Sequence, residues 1–205
     1  MKVLVNESSL ENIANAIRSK NGDTAKYKPS EMGAAITNIN TTVAPKCHIE
    51  FIDDTAEELD LSWLRTDNIV DFSGMFLNNV NLQSVDLSKF NTSKAVTMAD
   101  MFYGCNNLKN IDLSTFDTSL VTDMSGMFLS GYETVYNKHI DFRNADFSNV
   151  ATVGRGIFID EKTIIGSSEK VIDVIVKDDE QKAKLAILLN KNEQDMVTIR
   201  TVAEL

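Results

Sequence analysis

The sequence is poor in proline, cysteine and histidine, with two of each among its 205 residues. Two prolines are too few to make the turns of a chain this long, so other residues must make them. Cys47 and Cys105 lie far apart, and with His48 and His139 they form no spacing typical of a zinc site. We therefore expect no metal and two buried thiols. Cys47 and His48 cannot form a catalytic pair on a strand, because adjacent strand residues point to opposite faces.

Positive charge and long apolar runs are also scarce. The formal net charge is −10, which argues against nucleic-acid binding, since that needs a basic surface. No apolar run approaches the ~20 residues of a membrane helix, so no membrane insertion is expected. The apolar run at 3–5 is shorter than the roughly 7–15 residues of a signal-peptide core, so we expect no signal peptide. Most of the acidity lies in residues 47–158, where seven Lys and Arg face sixteen Asp and Glu.

What the sequence does contain is an internal repeat of 26 residues. Met-Phe pairs begin at Met75, Met101 and Met127, and Asp-Leu-Ser triplets recur at the same interval. A degraded fourth unit follows at residues 140–158, as is expected of a terminal repeat. Residues 47–158 are therefore predicted to hold about 3.5–4 repeats.

Each repeat unit has two halves with different periodicity. Residues 111–114 alternate apolar and polar side chains, which predicts a short strand with one buried face. The apolar residues of the second half follow the spacing of a helix or helical turn: Val121, Met124, Met127 and Phe128. Thr118 or Ser119 would cap that turn. A strand and a helical turn in 26 residues predict an α/β repeat fold, a short leucine-rich-repeat-like solenoid whose turns use Asn, Asp, Ser and Gly.

The unit at residues 111–128 resembles the BspA-like leucine-rich repeat of bacterial surface and adhesion proteins. The resemblance covers about residues 59–158, and the run Met124-Ser125-Gly126-Met127-Phe128 is its most specific part. It implies a parallel-stranded solenoid with a recognition role, and it names no ligand.

The segment before the repeat, residues 1–46, predicts a helix–loop–helix. One amphipathic helix covers residues 10–17, Gly22 breaks it, and Pro29 begins a second helix. About 35 residues are few for an independent core, so the hairpin should pack on a partner, on another copy or on the first repeat, as an attachment or oligomerisation element. Residues 8–39 also resemble a segment common in tail and baseplate-associated proteins of phages that infect Gram-positive bacteria.

The segment after the repeat, residues 159–205, predicts a β–α–β cap that closes the end of the solenoid. Residues 171–176 are rich in β-branched side chains and read as a strand. A helix should begin at Asp178 or Asp179, with acidic residues in its first turn. Residues 196–202 form the second predicted strand.

The outward face of the repeat strands is the candidate functional surface. Each repeat places an aspartate at the same strand position: Asp60, Asp86, Asp112 and Asp141. Neighbouring strands lie ~4.8 Å apart, so these carboxylates would repel each other unless hydroxyls, backbone N–H groups or a cation compensate. Two interpretations stay open. The column is either a receptor-facing or cation-binding stripe, or a solvated face whose carboxylates anchor loops by hydrogen bonds.

Residues that break the repeat symmetry are the better binding candidates, because ligand sites seldom follow a repeat. Exposed aromatic and arginine side chains in particular favour recognition. The candidates are Trp63, Arg65, Lys89, Tyr103, Tyr132, Tyr136, His139 and Arg143. Trp63 could equally cover the open end of the first repeat.

No catalytic motif is recognisable, so we expect no enzyme and no cofactor. The leading hypothesis is a phage virion protein, associated with the tail or baseplate, whose solenoid recognises a molecule such as a host receptor. It would be made in the host cytoplasm, and its partners would be other virion proteins or a host surface molecule, with homo-oligomerisation expected. The alternative is a cytoplasmic accessory protein, encoded by a phage or mobile element, that binds a host protein.

Overall fold

The computed structural model of the chain describes residues 58–59, 61, 64–129, 138–151, 155–159 and 172–205. The predicted helical hairpin of residues 1–46 and Cys47 lie outside the described residues. The strands are β1 (Glu58–Leu59), β2 (Ser84–Val85), β3 (Asn110–Asp112), β4 (Lys138–Phe142), β5 (Ile172–Val176) and β6 (Val197–Thr201). The helices are α1 (Asp179–Leu188), α2 (Lys191–Met196) and a final 3-10 turn (Val202–Glu204).

The six strands of the described ranges pair in parallel. β1 pairs with β2, and β3, β4, β5 and β6 form a four-stranded sheet in that order. The predicted mixed α/β class with parallel strands is confirmed. In register across the larger sheet lie Ile111, Ile140, Val174 and Ile199. The first three of these are 0–2% exposed, and Ile199 is partly buried against the same core. This row therefore marks the inner face of the sheet.

The second half of each repeat folds into turns, and the described residues of the repeats contain no helix. Alternate N–H groups bond the next repeat, for example Phe76 N to Met101 O at 2.8 Å and Phe102 N to Met127 O at 2.8 Å. The N–H groups between them close local turns, as when Met127 N bonds Met124 O. A continuous helix would need every N–H for its own i→i−4 bonds, and half of them are used between repeats.

The Met-Phe pairs form the core, as predicted. Met75, Met101 and Met127 are fully buried. The adjacent phenylalanine rings stack from repeat to repeat: Phe76–Phe102 at 5.2 Å, Phe102–Phe128 at 5.6 Å and Phe128–Phe158 at 5.5 Å between centroids. The 26-residue period of the sequence is thus a period of stacking in the core.

A threonine in each repeat links it to the next, and the predicted capping role of Thr118 is therefore wrong. Thr66, Thr92 and Thr118 are at most 2% exposed. The Thr118 hydroxyl donates to Asp146 O at 2.8 Å and accepts from Asp146 N at 2.7 Å. Thr66 and Thr92 make the same pair of bonds with the following repeat. The hydroxyl is needed between repeats because it satisfies both backbone groups of one residue in the next repeat.

The C-terminal segment has the predicted β–α–β order, with two differences. Asp178 caps α1, accepting from Gln181 N. The second strand begins at Val197, whereas Met196 ends the unpredicted helix α2. The Glu193 side chain explains this extra helix. It completes a capping box with Asn190, and its Oε1 also accepts the N–H of Phe158 at 2.6 Å, which ties the segment to the last repeat.

Lys138, at the start of β4, is buried at 5% exposure. Its Nζ donates to the carbonyl oxygens of Cys105 and Leu108 at 3.0 and 2.9 Å. The Cys105 thiol is free and buried, as predicted, and donates to Phe76 O at 2.9 Å. Burial lowers the pKa of Lys138 to about 8 and raises the pKa of Cys105 to about 12.

Replacing Thr118 with valine should destabilise the protein by about 2 kcal/mol, because the N–H and C=O of Asp146 both lose their partner. The matched control is Thr122→Val, four residues away, where an exposed hydroxyl donates only to Val96 O. The control should change stability by no more than about 0.5 kcal/mol. Urea denaturation of both variants measures the difference, and equal losses would contradict the role given to the buried threonines.

The stability of the wild type should rise by about 1 kcal/mol between pH 8 and pH 9 relative to Lys138→Met. The folded-state pKa of Lys138, about 8, is below its ordinary value of 10.5. In this window the unfolded chain therefore binds more protons, and stability increases with pH. Denaturation curves of both proteins across the window test this. Parallel pH profiles would show that the Lys138 ammonium is not destabilised by burial.

Candidate functional site

The larger sheet presents one polar face opposite its buried row. We call it the outer sheet face and define it by two register rows and one flanking arginine. The rows are Asn110–His139–Asp173–Thr198 and Asp112–Asp141–Ile175–Arg200, and the flanking residue is Arg143 just after β4. The side chains alternate between faces because successive strand residues point in opposite directions.

The three described members of the predicted aspartate column bond to their own loops. Asp112 and Asp141 are register partners. In each of the three, Oδ1 accepts the backbone N–H of the residue two positions later. Asp86 accepts from Ser88 at 2.9 Å, Asp112 from Ser114 at 2.9 Å and Asp141 from Arg143 at 3.0 Å. This supports the interpretation that the column anchors loops. Within the described ranges no group of three His, Cys, Asp or Glu could hold a metal ion.

The same Asx turn recurs at two further corners of the repeats. Asn91, Asp117 and Asp146 each accept from the N–H of the serine two residues on. At the other corner, Asp71 and Asp123 accept the backbone N–H of Ser73 and Ser125 in the same way. These turns replace the missing prolines, because the side-chain oxygen fixes the chain direction that proline would otherwise impose.

Arg143 relieves the repulsion between Asp112 and Asp141. The Asp141 side chain is only 12% exposed, and Arg143 Nε donates to its two oxygens at 3.0 and 2.9 Å while Nη2 bonds Oδ2. Burial alone would raise the pKa of Asp141, but the hydrogen bonds and charge of Arg143 outweigh burial and lower it. The charge of Asp112 also raises the pKa of Arg143, after the larger effect of Asp141.

A second charged group crosses β4, β5 and β6. His139 Nδ1 lies 2.7 Å from Asp173 Oδ2, and Arg200 Nε donates to Asp173 Oδ1 at 2.8 Å. The hydrogen bonds of Arg200 lower the pKa of Asp173, burial opposes the shift, and His139 adds to it. An ionised carboxylate can only accept, so His139 Nδ1 carries the proton and Nε2 faces away.

Tyr103 belongs to a different cluster. It lies in a turn segment, where the Arg155 guanidinium sits 5.6 Å from its ring centroid. Arg155 is held by Asp100, with Nη2 to Oδ1 at 2.7 Å. Asp100 has φ +56°, at a position where the neighbouring repeats carry Gly74 and Gly126. A non-glycine residue in this region is strained, and here its carboxylate holds a charge partner 55 residues away.

The structure thus brings together only some of the predicted binding residues. His139 and Arg143 share the outer sheet face, whereas Arg65 and Lys89 are exposed outside any strand. Trp63, Tyr132, Tyr136 and Asp60 lie outside the described residues.

Sequence reasoning missed Asp173, Arg200, Arg155 and Asp100. For Asp173 and Arg200 the signal was available, since each is the single charged residue of its strand. For Asp100 the signal was an aspartate in a glycine position of the repeat. Arg155 carries no sequence signal that we can identify.

A family model described as Mycoplasma protein of unknown function, DUF285, matches residues 46–164. The match covers 119 of the 205 residues and spans the repeat. No curated protein and no solved structure matches the chain. In the part of the chain that the structure describes, no helix has the length and apolar character needed to cross a membrane.

Replacing Asp112 with alanine should cost about 1 kcal/mol, because the Ser114 N–H loses its acceptor. Asp112→Asn should cost almost nothing, since Asn91 makes the same turn with Ser93 elsewhere in the repeat. Thermal or urea denaturation of the pair tests the anchoring role. If alanine were as stable as asparagine, the column would not be anchoring loops.

Proposed function

Because the chain belongs to the family described as Mycoplasma protein of unknown function, DUF285, and that description assigns no activity, we propose a function from the repeat and its surface. The proposal is that residues 47–158 form a short leucine-rich-repeat-like solenoid. Together with strands β5 and β6 of the C-terminal segment, this solenoid recognises another molecule through the outer sheet face. The protein is then a binding protein, not an enzyme.

The solenoid proposal is supported by bonds that recur with the sequence period. Backbone N–H groups, buried threonine hydroxyls and stacked phenylalanine rings each join one repeat to the next. A single repeat cannot bury its own apolar face, so stacking supplies the core. Residues 159–205 would close the C-terminal end of the solenoid. Two backbone N–H groups of its last strand, β6, have hydrogen-bond acceptors within this same segment. Val197 N bonds Glu193 O and Thr201 N bonds Glu204 Oε2, as expected of a protected edge.

The recognition proposal rests on the residues that do not recur from repeat to repeat. Asp86, Asp112 and their equivalents recur and are used in turns. By contrast His139, Arg143, Asp173 and Arg200 occur once and converge on one face of adjacent parallel strands. Residues held on strands are more precisely placed than residues on loops, which suits a binding surface.

The biological setting that we propose is a phage virion, with the protein in the tail or baseplate. Its support is the resemblance of residues 8–39 to tail and baseplate-associated proteins, joined to a repeat that resembles bacterial adhesins. In this proposal the N-terminal segment attaches the protein to other virion proteins or to further copies, and the solenoid faces the host surface.

The labelled full chain should bind intact cells of the bacterium that hosts the gene, and Asn110→Trp should weaken binding by about tenfold or more. Asn110 is exposed on the outer sheet face, and a bulky indole there would block access. The matched control is Asn107→Trp, an exposed asparagine of the same repeat in a turn, which should bind like the wild type.

Mass spectrometry of purified virions gives the independent test of the setting and should detect this chain. If the chain neither binds cells nor is found in virions, the virion proposal fails. A host cytoplasmic protein that binds the wild type and not Asn110→Trp would then favour the accessory role.

A further inference from the structure

The outer sheet face retains unused hydrogen-bonding groups of both kinds. Within the described residues, Asp112 uses one carboxylate oxygen, for Ser114 N, and the other makes no hydrogen bond. Arg143 and Arg200 bond their aspartates through Nε and Nη2, which leaves each Nη1 without a bond there. His139 Nε2 is likewise unbonded in the described part of the chain. Both donors and acceptors of hydrogen bonds therefore remain available on this face.

The charges of this face almost cancel. Arg143 pairs with Asp141, and Arg200 pairs with Asp173, so that Asp112 is left as the one carboxylate of the face without an ion pair among the described residues. The chain as a whole carries −10. A strongly anionic ligand would be repelled by this chain, and the face has no net positive charge with which to hold one.

A protein partner fits the face poorly. The centres of protein interfaces are depleted in charge and are built around aromatic anchors. The described residues of this face include no aromatic residue except the His139 imidazole, and their one aliphatic side chain, Ile175, is only 3% exposed. Covering ion pairs such as Asp173–Arg200, whose side chains are 30% and 37% exposed, would also remove their water.

From these observations we propose that the outer sheet face binds a neutral, hydroxyl-rich glycan of the bacterial surface. This inference rests on the proposed recognition function. Each sugar hydroxyl can both donate and accept, so it can replace water at Asp112, His139 and the two guanidinium groups without leaving a charge unsolvated. The ion pairs hold the arginine side chains in place before binding, which lowers the ordering cost of the complex.

The test compares binding of the labelled full chain to cells pretreated with periodate, which cleaves vicinal diols, or with a broad protease. Binding should be lost after periodate and kept after protease. The reverse result would overturn the glycan assignment and favour a surface protein, while leaving the recognition function standing. If untreated cells bind nothing, the recognition function fails and the glycan assignment fails with it.

A matched pair of variants places the glycan on this face. Asp112→Asn should weaken cell binding about tenfold, because a charge-assisted hydrogen bond becomes a neutral one. Asp117→Asn makes the same change in the same repeat at another corner, where Asp117 bonds Ser119 N, and it should leave binding unchanged. Since Asn91 already fills the equivalent turn, both variants keep the fold. Equal effects of the two, or none, would overturn the assignment.

Discussion

The hydrogen bond from one repeat to the next, between residues 25 positions apart, is the interaction on which the rest of the structure depends. Phe76 N bonds Met101 O, Phe102 N bonds Met127 O, and Phe128 N bonds Ile157 O across the slightly longer last interval. These bonds take the N–H groups that a helix would use, and they set the repeats at the separation of neighbouring strands. At that separation the phenylalanine rings stack, and the threonine hydroxyls reach the backbone of the next repeat.

The same spacing decides what the polar residues can do. Aspartates on neighbouring strands are close enough to repel each other. Asx turns reduce this repulsion because they bring a backbone N–H to each carboxylate. In the last repeat this turn is kept and a guanidinium group is added, since Arg143 stands where the earlier repeats carry serine. The recurring aspartates thus belong to the architecture. Our proposal assigns recognition to the face where the residues that occur once meet, and there the second carboxylate oxygen of Asp112 contributes as well.

Much of the fold could be predicted from the sequence, because the repeat is a local signal. The buried Met-Phe pairs follow from the repeat, and the parallel strands are what the resemblance to leucine-rich repeats implies. The β–α–β order at the C-terminus follows from a β-branched run and an acidic helix start. The turns in place of helices, and the role of Thr118 between repeats, could not be predicted, since both depend on bonds to a residue in the next repeat.

The site also divides into residues that the sequence could identify and residues that it could not. His139 and Arg143 stood out as departures from the repeat, whereas Asp173 and Arg200 joined them only through strand pairing. Helix α2 exists because Glu193 accepts hydrogen bonds from the last repeat.

Bonds between the repeats hold them together as one unit. Amide hydrogen exchange at the N–H groups of Phe76, Phe102 and Phe128 measures this most directly. If the account is right, all three exchange only when the whole protein unfolds, and they share the free energy of opening that denaturation gives. Three different and smaller free energies, as independent local turns would show, would contradict it.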